Sequence, residues 1–240
     1  KMQKKVAPYI KRIITPSKSS KKGIVDEFDC NKANITVINN GLDTNEFSPV
    51  NEVKRNEYRL ITTASADVPL KGLDFSLKAL KKLKKDFPDI HLIVIGLIKK
   101  GGHTEKLIRK LGLENDVTFK SNLTKNEIKD CYSKSSIAIV SSLYEGFGYP
   151  VIEAMSCEIP LIATNVSSIP ELTSEFAKLV DPKNEEMIYQ SVKDILSEYD
   201  KYKKIAIKGR QHVIKKFNWI KITDEYENAI FETIKNYEKC

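Results

Sequence analysis

From residue 58 onward the chain alternates short apolar runs with longer amphipathic ones. The runs at 58–64, 91–96, 117–119, 137–141, 161–163 and 178–180 are rich in aliphatic and β-branched residues and read as strands. Between and after them, apolar residues at three- and four-residue spacing predict helices over 73–85, 104–111, 125–132, 151–157, 185–197 and 201–216. Strand then helix, repeated, predicts an α/β fold: a doubly wound parallel sheet covered on both faces. In such sheets ligands bind beyond the carboxyl ends of the strands. Ahead of this series, 12–15 and 35–38 read as short strands, and 19–28 as a helix capped by Ser19 or Ser20. A last helix over 220–237 carries Tyr226, Ile230 and Ile234 at helical spacing, the stripe expected to pack.

The stretch that organises the rest follows the apolar run Ile137-Ala138-Ile139-Val140. It reads Ser141-Ser142-Leu143-Tyr144-Glu145-Gly146-Phe147-Gly148-Tyr149-Pro150-Val151-Ile152-Glu153-Ala154-Met155. Two glycines break the strand pattern, and Pro150 suits the first turn of a helix, where its missing N–H costs nothing. A helix start after a tight loop offers free N–H groups and the positive end of a dipole to an anion. Glu145 and Glu153 flank the glycines, and carboxylates accept hydrogen bonds from sugar hydroxyls. The loop therefore suits a ligand with both hydroxyls and phosphates. A plain turn with two solvated glutamates is the alternative, and the pair alone does not decide between them. Lys71-Gly72, after the first strand of the series, places a cation at another helix start, where it suits a pyrophosphate.

Composition narrows the class. The 240 residues are 41% hydrophobic and 30% charged, enough for one ordinary domain or one domain and part of another. No apolar run is long enough to span a bilayer. Cys30, Cys131, Cys157 and Cys240 show no Cys-x-x-Cys or zinc spacing, so reduced thiols in the cytoplasm are expected. His91, His103 and His212 form no cluster, and neither metal nor cofactor is expected. The net charge of +8 is mostly lysine. Such a surface serves an anionic substrate or a peripheral membrane contact, or is simply a set of solvated helix faces. Nucleic acid is not expected, because neither an aromatic stacking platform nor an arginine stripe accompanies the charge.

The string Glu145-Gly-Phe-Gly-Tyr-Pro-x-x-Glu153-Ala-Met, with Pro160-Leu-Ile-Ala-Thr164 after it, resembles the donor site of family-four (group 1) retaining glycosyltransferases of GT-B architecture. The segment Asn40-Gly-Leu-Asp43-x-x-x-Phe47-x-Pro49 resembles that family's interdomain hinge. The resemblance runs from Ile13 to about Tyr237. It implies three pieces: residues 1–48, a remnant of an N-terminal acceptor domain and the hinge; 49–216, the nucleotide-sugar domain; 217–240, a helix crossing back. The donor it implies is a UDP- or GDP-linked sugar, the acceptor a carbohydrate or lipid-linked hydroxyl at the inner membrane face. Glu145 would contact the transferred sugar and Glu153 the ribose. Lys71, Gly72 and the amides of Gly146, Phe147 and Gly148 would face the diphosphate, and Lys71 and Glu145 would be the catalytic residues. Ser121 and Leu123 would hold the nucleobase, although Leu123 fits a hydrophobic staple to the next helix equally well. Glu171 would support the site from behind. One departure stands out: Ser65 and Ala66 occupy the family's Gly-Arg positions, so half of the expected cationic grip is missing. The chain by itself is expected to bind donor without transferring it, and its N-terminal strand edges are expected to favour self-association. A nucleotide-sugar-binding module without turnover remains an alternative class. So do other GT-B enzymes, such as a nucleotide-sugar epimerase or a glycogen-synthase-like transferase.

Overall fold

The computed structural model describes residues 2–50, 53–65 and 67–237. Ala66 and Cys240 lie outside the described residues. A first group holds α1 (Met2–Val6), β1 (Ile13–Thr15), α2 (Lys18–Phe28) and β2 (Ile35–Val37). The main series follows: β3 (Asn56–Thr63), α3 (Leu73–Asp86), β4 (His91–Ile95), α4 (His103–Leu111), β5 (Val117–Lys120), α5 (Lys125–Ser133), β6 (Ser135–Val140), α6 (Tyr149–Ser156), β7 (Leu161–Thr164), α7 (Ile169–Thr173), β8 (Lys178–Val180), α8 (Glu185–Ser197), α9 (Tyr199–Phe217) and α10 (Trp219–Tyr237). Each predicted strand and helix is present. The sequence raised no expectation of α1 or α7, since five residues are too few for a period to show.

β3 to β8 form one parallel sheet in the order β5-β4-β3-β6-β7-β8. The chain runs outward from β3 to β5, then returns to set β6 on the other side of β3. The topological switch point therefore lies between β3 and β6. Alternate residues face opposite layers. Leu60, Leu92, Val94, Ile137, Ile139 and Ile162 pack with Leu77, Leu80 and Leu83 of α3, Ile108 of α4, and Ile188 and Val192 of α8. Ile61, Ile93, Ala138, Val140, Leu161 and Ala163 pack with Tyr132 of α5, Val151 and Met155 of α6, Leu172 of α7, and Val213 and Phe217 of α9. Burial on both faces is why the strands read as unbroken apolar runs rather than alternating ones.

β1 and β2 form a separate parallel pair with α2 as its crossover. The cap of α2 is Ser17, not Ser19 or Ser20: its Oγ accepts the Ser20 N–H at 2.9 Å. Ser17 has extended backbone, whereas Ser19 and Ser20 are already helical, and a cap needs the extended form. α10 leaves the large sheet and lies on this small one, where Ile222 and Ala229 are buried with Ile38, beside Ile14 and Tyr226. Arg12 donates to Glu232 on the same helix at 3.0 Å. The expected stripe is half corrected: Tyr226 packs, but Ile230 and Ile234 are exposed. Two strands of three residues can cover only one stripe, and Ile222, Tyr226 and Ala229 fill it. The segment 40–49 lies against the α9–α10 junction, with the Leu42 N–H donating to the Phe217 carbonyl at 2.7 Å. Among the described residues no helix is long and apolar enough to cross a membrane.

One cation holds the layer beneath the site. The Arg55 guanidinium donates to the carbonyls of Tyr132 (2.9 Å) and Ser135 (2.8 Å) beside the end of α5, and of Cys157 (2.7 Å) and Glu158 (3.2 Å) beyond α6. It thus satisfies orphan carbonyls and complements two helix dipoles at once. Arg55→Ala strands those acceptors and is expected to cost about 3 kcal/mol of stability, read by urea unfolding. A cost below about 1 kcal/mol would mean that water replaces the guanidinium.

Candidate active site at the sheet switch point

β3 and β6 are paired neighbours. Beyond β3 the chain turns through Pro69–Lys71 and enters α3 at Gly72; beyond β6 it enters α6 at Gly148. The two loops are laced together. The Leu143 N–H donates to the Leu70 carbonyl at 2.7 Å, the Ser141 hydroxyl to the Gly72 carbonyl at 3.0 Å, and the Ser76 hydroxyl to Ser141 Oγ at 2.9 Å. Both helices start on a glycine that supplies no side-chain cap; the Phe75 and Val151 N–H groups donate to the Gly72 and Gly148 carbonyls at 3.0 and 3.1 Å, Pro150 has no N–H, and among the described residues those of Leu73, Asp74 and Tyr149 keep no capping partner.

Between these helix starts, Lys71 Nζ lies 2.7 Å from Glu145 Oε1, and the Ser142 hydroxyl donates to the same oxygen at 2.7 Å. The Glu145 side chain is 10% exposed and that of Lys71 32%, so the carboxylate is sunk and the cation reaches outward. Two residues far apart in sequence are thus joined where the fold class puts ligands. Glu153 lies on α6 itself and is half-buried. Its Oε2 accepts the Tyr132 hydroxyl at 3.2 Å, and that hydroxyl is 3.3 Å from Thr63 Oγ1. Burial raises the Glu153 pKa above the ordinary carboxylate value, and the bond from Tyr132 opposes the rise. Burial also pushes the Tyr132 phenol well above its usual value, so it stays a donor.

The other predicted residues divide. The Gly146 carbonyl accepts the Ser17 and Ser20 hydroxyls at 2.8 and 3.0 Å, so α2 sits on the glycine loop. The Phe147 side chain is buried, edge-on to Tyr149 and Phe217, and only its backbone is left for a ligand. Ser121 is exposed at the end of β5, with β4 between it and β3, and is not brought to the Lys71–Glu145 pair. Leu123 precedes the Thr124 cap of α5, and both Leu123 and Ile128 pack on the core, the arrangement of a hydrophobic staple. Glu171 accepts the N–H groups of Lys18 (3.0 Å) and Ser19 (3.2 Å), capping α2 from α7.

Three more side chains shape this region; the sequence gives no sign of the contacts of Tyr132 and Arg210, and shows Ser168 only as a small residue ahead of Ile169-Pro170-Glu171. Tyr132 reads as the end of a helix. Ser168 is fully buried, with its hydroxyl 2.6 Å from the Phe147 carbonyl and 2.9 Å from that of Glu145, and so shapes the loop. Arg210 donates to the carbonyls of Thr44 and Phe47 at 3.1 Å each, tying α9 to the 40–49 segment. Beside the Lys71 loop a cleft of about 280 Å³ opens on the α3–α4 side, lined by Ser65, Asp67, Gly72, His103, Thr104 and Leu143. Among the described residues no group of three or more His, Cys, Asp or Glu side chains is placed to hold a metal ion.

A parallel sheet covered by helices on both faces, with a topological switch point between β3 and β6, defines the doubly wound α/β class. The chain belongs to the group 1 glycosyl transferases, whose family model matches residues 44–212. It is 31% identical, over its whole length, to an MMP alpha-(1->4)-mannosyltransferase of Mycolicibacterium hassiacum, and spans 56% of that relative's length. The fold matches a crystallised glycosyltransferase of Rickettsia africae at 24% identity, TM-score 0.84, covering 98% of this chain and 67% of that one. It likewise matches HepE of Anabaena, crystallised with UDP and glucose, at 19% identity and TM-score 0.85, covering 96% of this chain and 66% of that one. The architecture is that of GT-B glycosyltransferases.

Proposed function

We propose that this chain binds the donor in a retaining transfer of a sugar from a UDP- or GDP-linked donor to an acceptor hydroxyl. The observation that carries the reading is the Lys71–Glu145 pair, set between two uncapped helix starts at the switch point. Lys71 and the N–H groups of Leu73 and Asp74 at the start of α3 and of Tyr149 at the start of α6 stabilise the charge that builds on the departing diphosphate. Glu145 orients the transferred sugar through its hydroxyls, and Glu153 takes the ribose. Before donor binds, Lys71 and Glu145 neutralise each other; donor entry shifts Lys71 onto phosphate and leaves Glu145 to the sugar. No metal is required where a lysine and two helix dipoles meet the leaving group. Family membership and a relative crystallised with UDP and glucose support a nucleotide-sugar donor. The acceptor, a carbohydrate or lipid-linked hydroxyl, is met by chain outside 49–216. The buried free thiols Cys30, Cys131 and Cys157 suit the cytoplasm.

Calorimetry with UDP, GDP and their sugars tests the assignments. Glu153→Ala is expected to weaken binding of the nucleotide by about 1.5–3 kcal/mol, the range for hydrogen bonds to a charged group. Glu145→Ala is expected to spare the nucleotide and abolish the preference for the intact nucleotide sugar. Equal losses for both ligands in both variants would mean that the two carboxylates are wrongly assigned.

A further inference from the structure

Near the sheet switch point there is a second polar chain, separate from the Lys71–Glu145 pair. It runs from Thr63, the last residue of β3, through Tyr132 near the end of α5, to Glu153 in the middle of α6. Tyr132 has one proton, and a carboxylate can only accept, so the phenol donates to Glu153 Oε2. Thr63 then donates to the phenol oxygen, and the direction of the whole chain is fixed toward the carboxylate. Tyr132 is 2% exposed and packed in the core, so its hydroxyl has no freedom to turn elsewhere.

We propose that Tyr132, aligned by Thr63, is the positioning residue that holds Glu153 for the ribose, an inference that rests on the reading of Glu153 given above. By occupying Oε2 it fixes the carboxylate plane and leaves Oε1 to accept the vicinal hydroxyls of the sugar. It also keeps the carboxyl ionised where burial disfavours the charge. The groups that act on one another around Glu153 are Tyr132 from α5, Tyr149 on its own helix and Cys157 just past that helix's end. The Tyr132 bond is the contribution that lowers the Glu153 pKa; removing it leaves the rise from burial unopposed. Ribose binding needs the ionised form, so affinity falls as pH drops through the Glu153 pKa. Without Tyr132 that fall moves to higher pH.

The experiment is calorimetry across pH with UDP, GDP and their 2′,3′-dideoxy analogues, on the wild type, Tyr132→Phe, Thr63→Val and Glu153→Gln. Tyr132→Phe is expected to weaken the ribonucleotide about five- to tenfold at neutral pH, the value of one ordinary hydrogen bond, since the variant loses the alignment of Glu153 and not the carboxylate itself. The pH at which binding falls should rise, and the dideoxy analogue should bind wild type and variant alike. Thr63→Val should act in the same direction with a smaller effect, and it carries the test if Tyr132→Phe fails to fold. Wild-type affinity and pH profile in Tyr132→Phe, with a loss in Glu153→Gln, overturns the inference and leaves the ribose assignment standing. An equal loss for ribo and dideoxy forms also overturns it, since that marks general disturbance of the site. If the wild type binds neither UDP nor GDP, the reading of Glu153 falls and this inference with it.

Discussion

Gly72→Ala is expected to destabilise the protein by about 3 kcal/mol and to abolish nucleotide binding. Gly72 has φ +62°, and a Cβ there would sit 2.0 Å from the Ser141 carbonyl oxygen. The left-handed backbone alone costs an alanine about 1–2 kcal/mol. The contact costs more, because the atom in the way is backbone, not the end of a flexible side chain. Ser141 cannot retreat freely: it is buried, and its hydroxyl is bonded to the Gly72 carbonyl and to Ser76. The loops after β3 and β6 must therefore part, and Lys71 and Glu145 part with them. Gly101→Ala is the control. Gly101 has φ +72° with nothing within 4 Å of the added carbon, so it bears the backbone cost only. Urea unfolding of both variants isolates the contact. Similar losses in the two would mean that the loops have room to separate.

How much of this was legible before the structure depends on whether the cause was local. The strands of the large sheet are apolar runs because both faces are buried, and that pattern survives in one dimension. The loop after β6 was legible as a strand-to-helix turn because two glycines and a proline break the apolar run. The pairing of Lys71 with Glu145 was not. Both residues were named, but only the return of β6 to the far side of β3 makes them neighbours. Arg55, Tyr132 and Arg210 were silent for a related reason. Arg55 and Arg210 donate mainly to backbone carbonyls, which any residue supplies, and their partners are 54 to 166 positions away. Ser17 lost out to its neighbours because three serines share one short segment, and only backbone angles separate the cap from the helix. Ile230 and Ile234 misled because helical spacing shows where a stripe lies, not how much of it a partner covers.

On the proposed reading of Lys71, Lys71→Met is expected to lower kcat for sugar transfer by about 10²- to 10³-fold. Where the family resemblance has an arginine six positions before the Lys-Gly pair's glycine, this chain has Ala66, so Lys71 is the cation that the motif retains. The negative charge on the diphosphate is greatest as the bond to the sugar breaks. A cation set there acts on the transition state more than on bound substrate, so kcat and kcat/KM should fall together. Loss of Lys71 has a second consequence, since the sunken Glu145 carboxylate keeps only the Ser142 hydroxyl. An unpaired, largely desolvated charge lowers stability, which would also reduce activity. The double variant Lys71→Met with Glu145→Gln separates the two effects, because it removes both charges. Its melting temperature should recover toward wild type while turnover stays low. Recovery of turnover along with stability would assign the loss to the unpaired carboxylate. Turnover within threefold of wild type in Lys71→Met itself would leave the leaving group to the two helix starts alone.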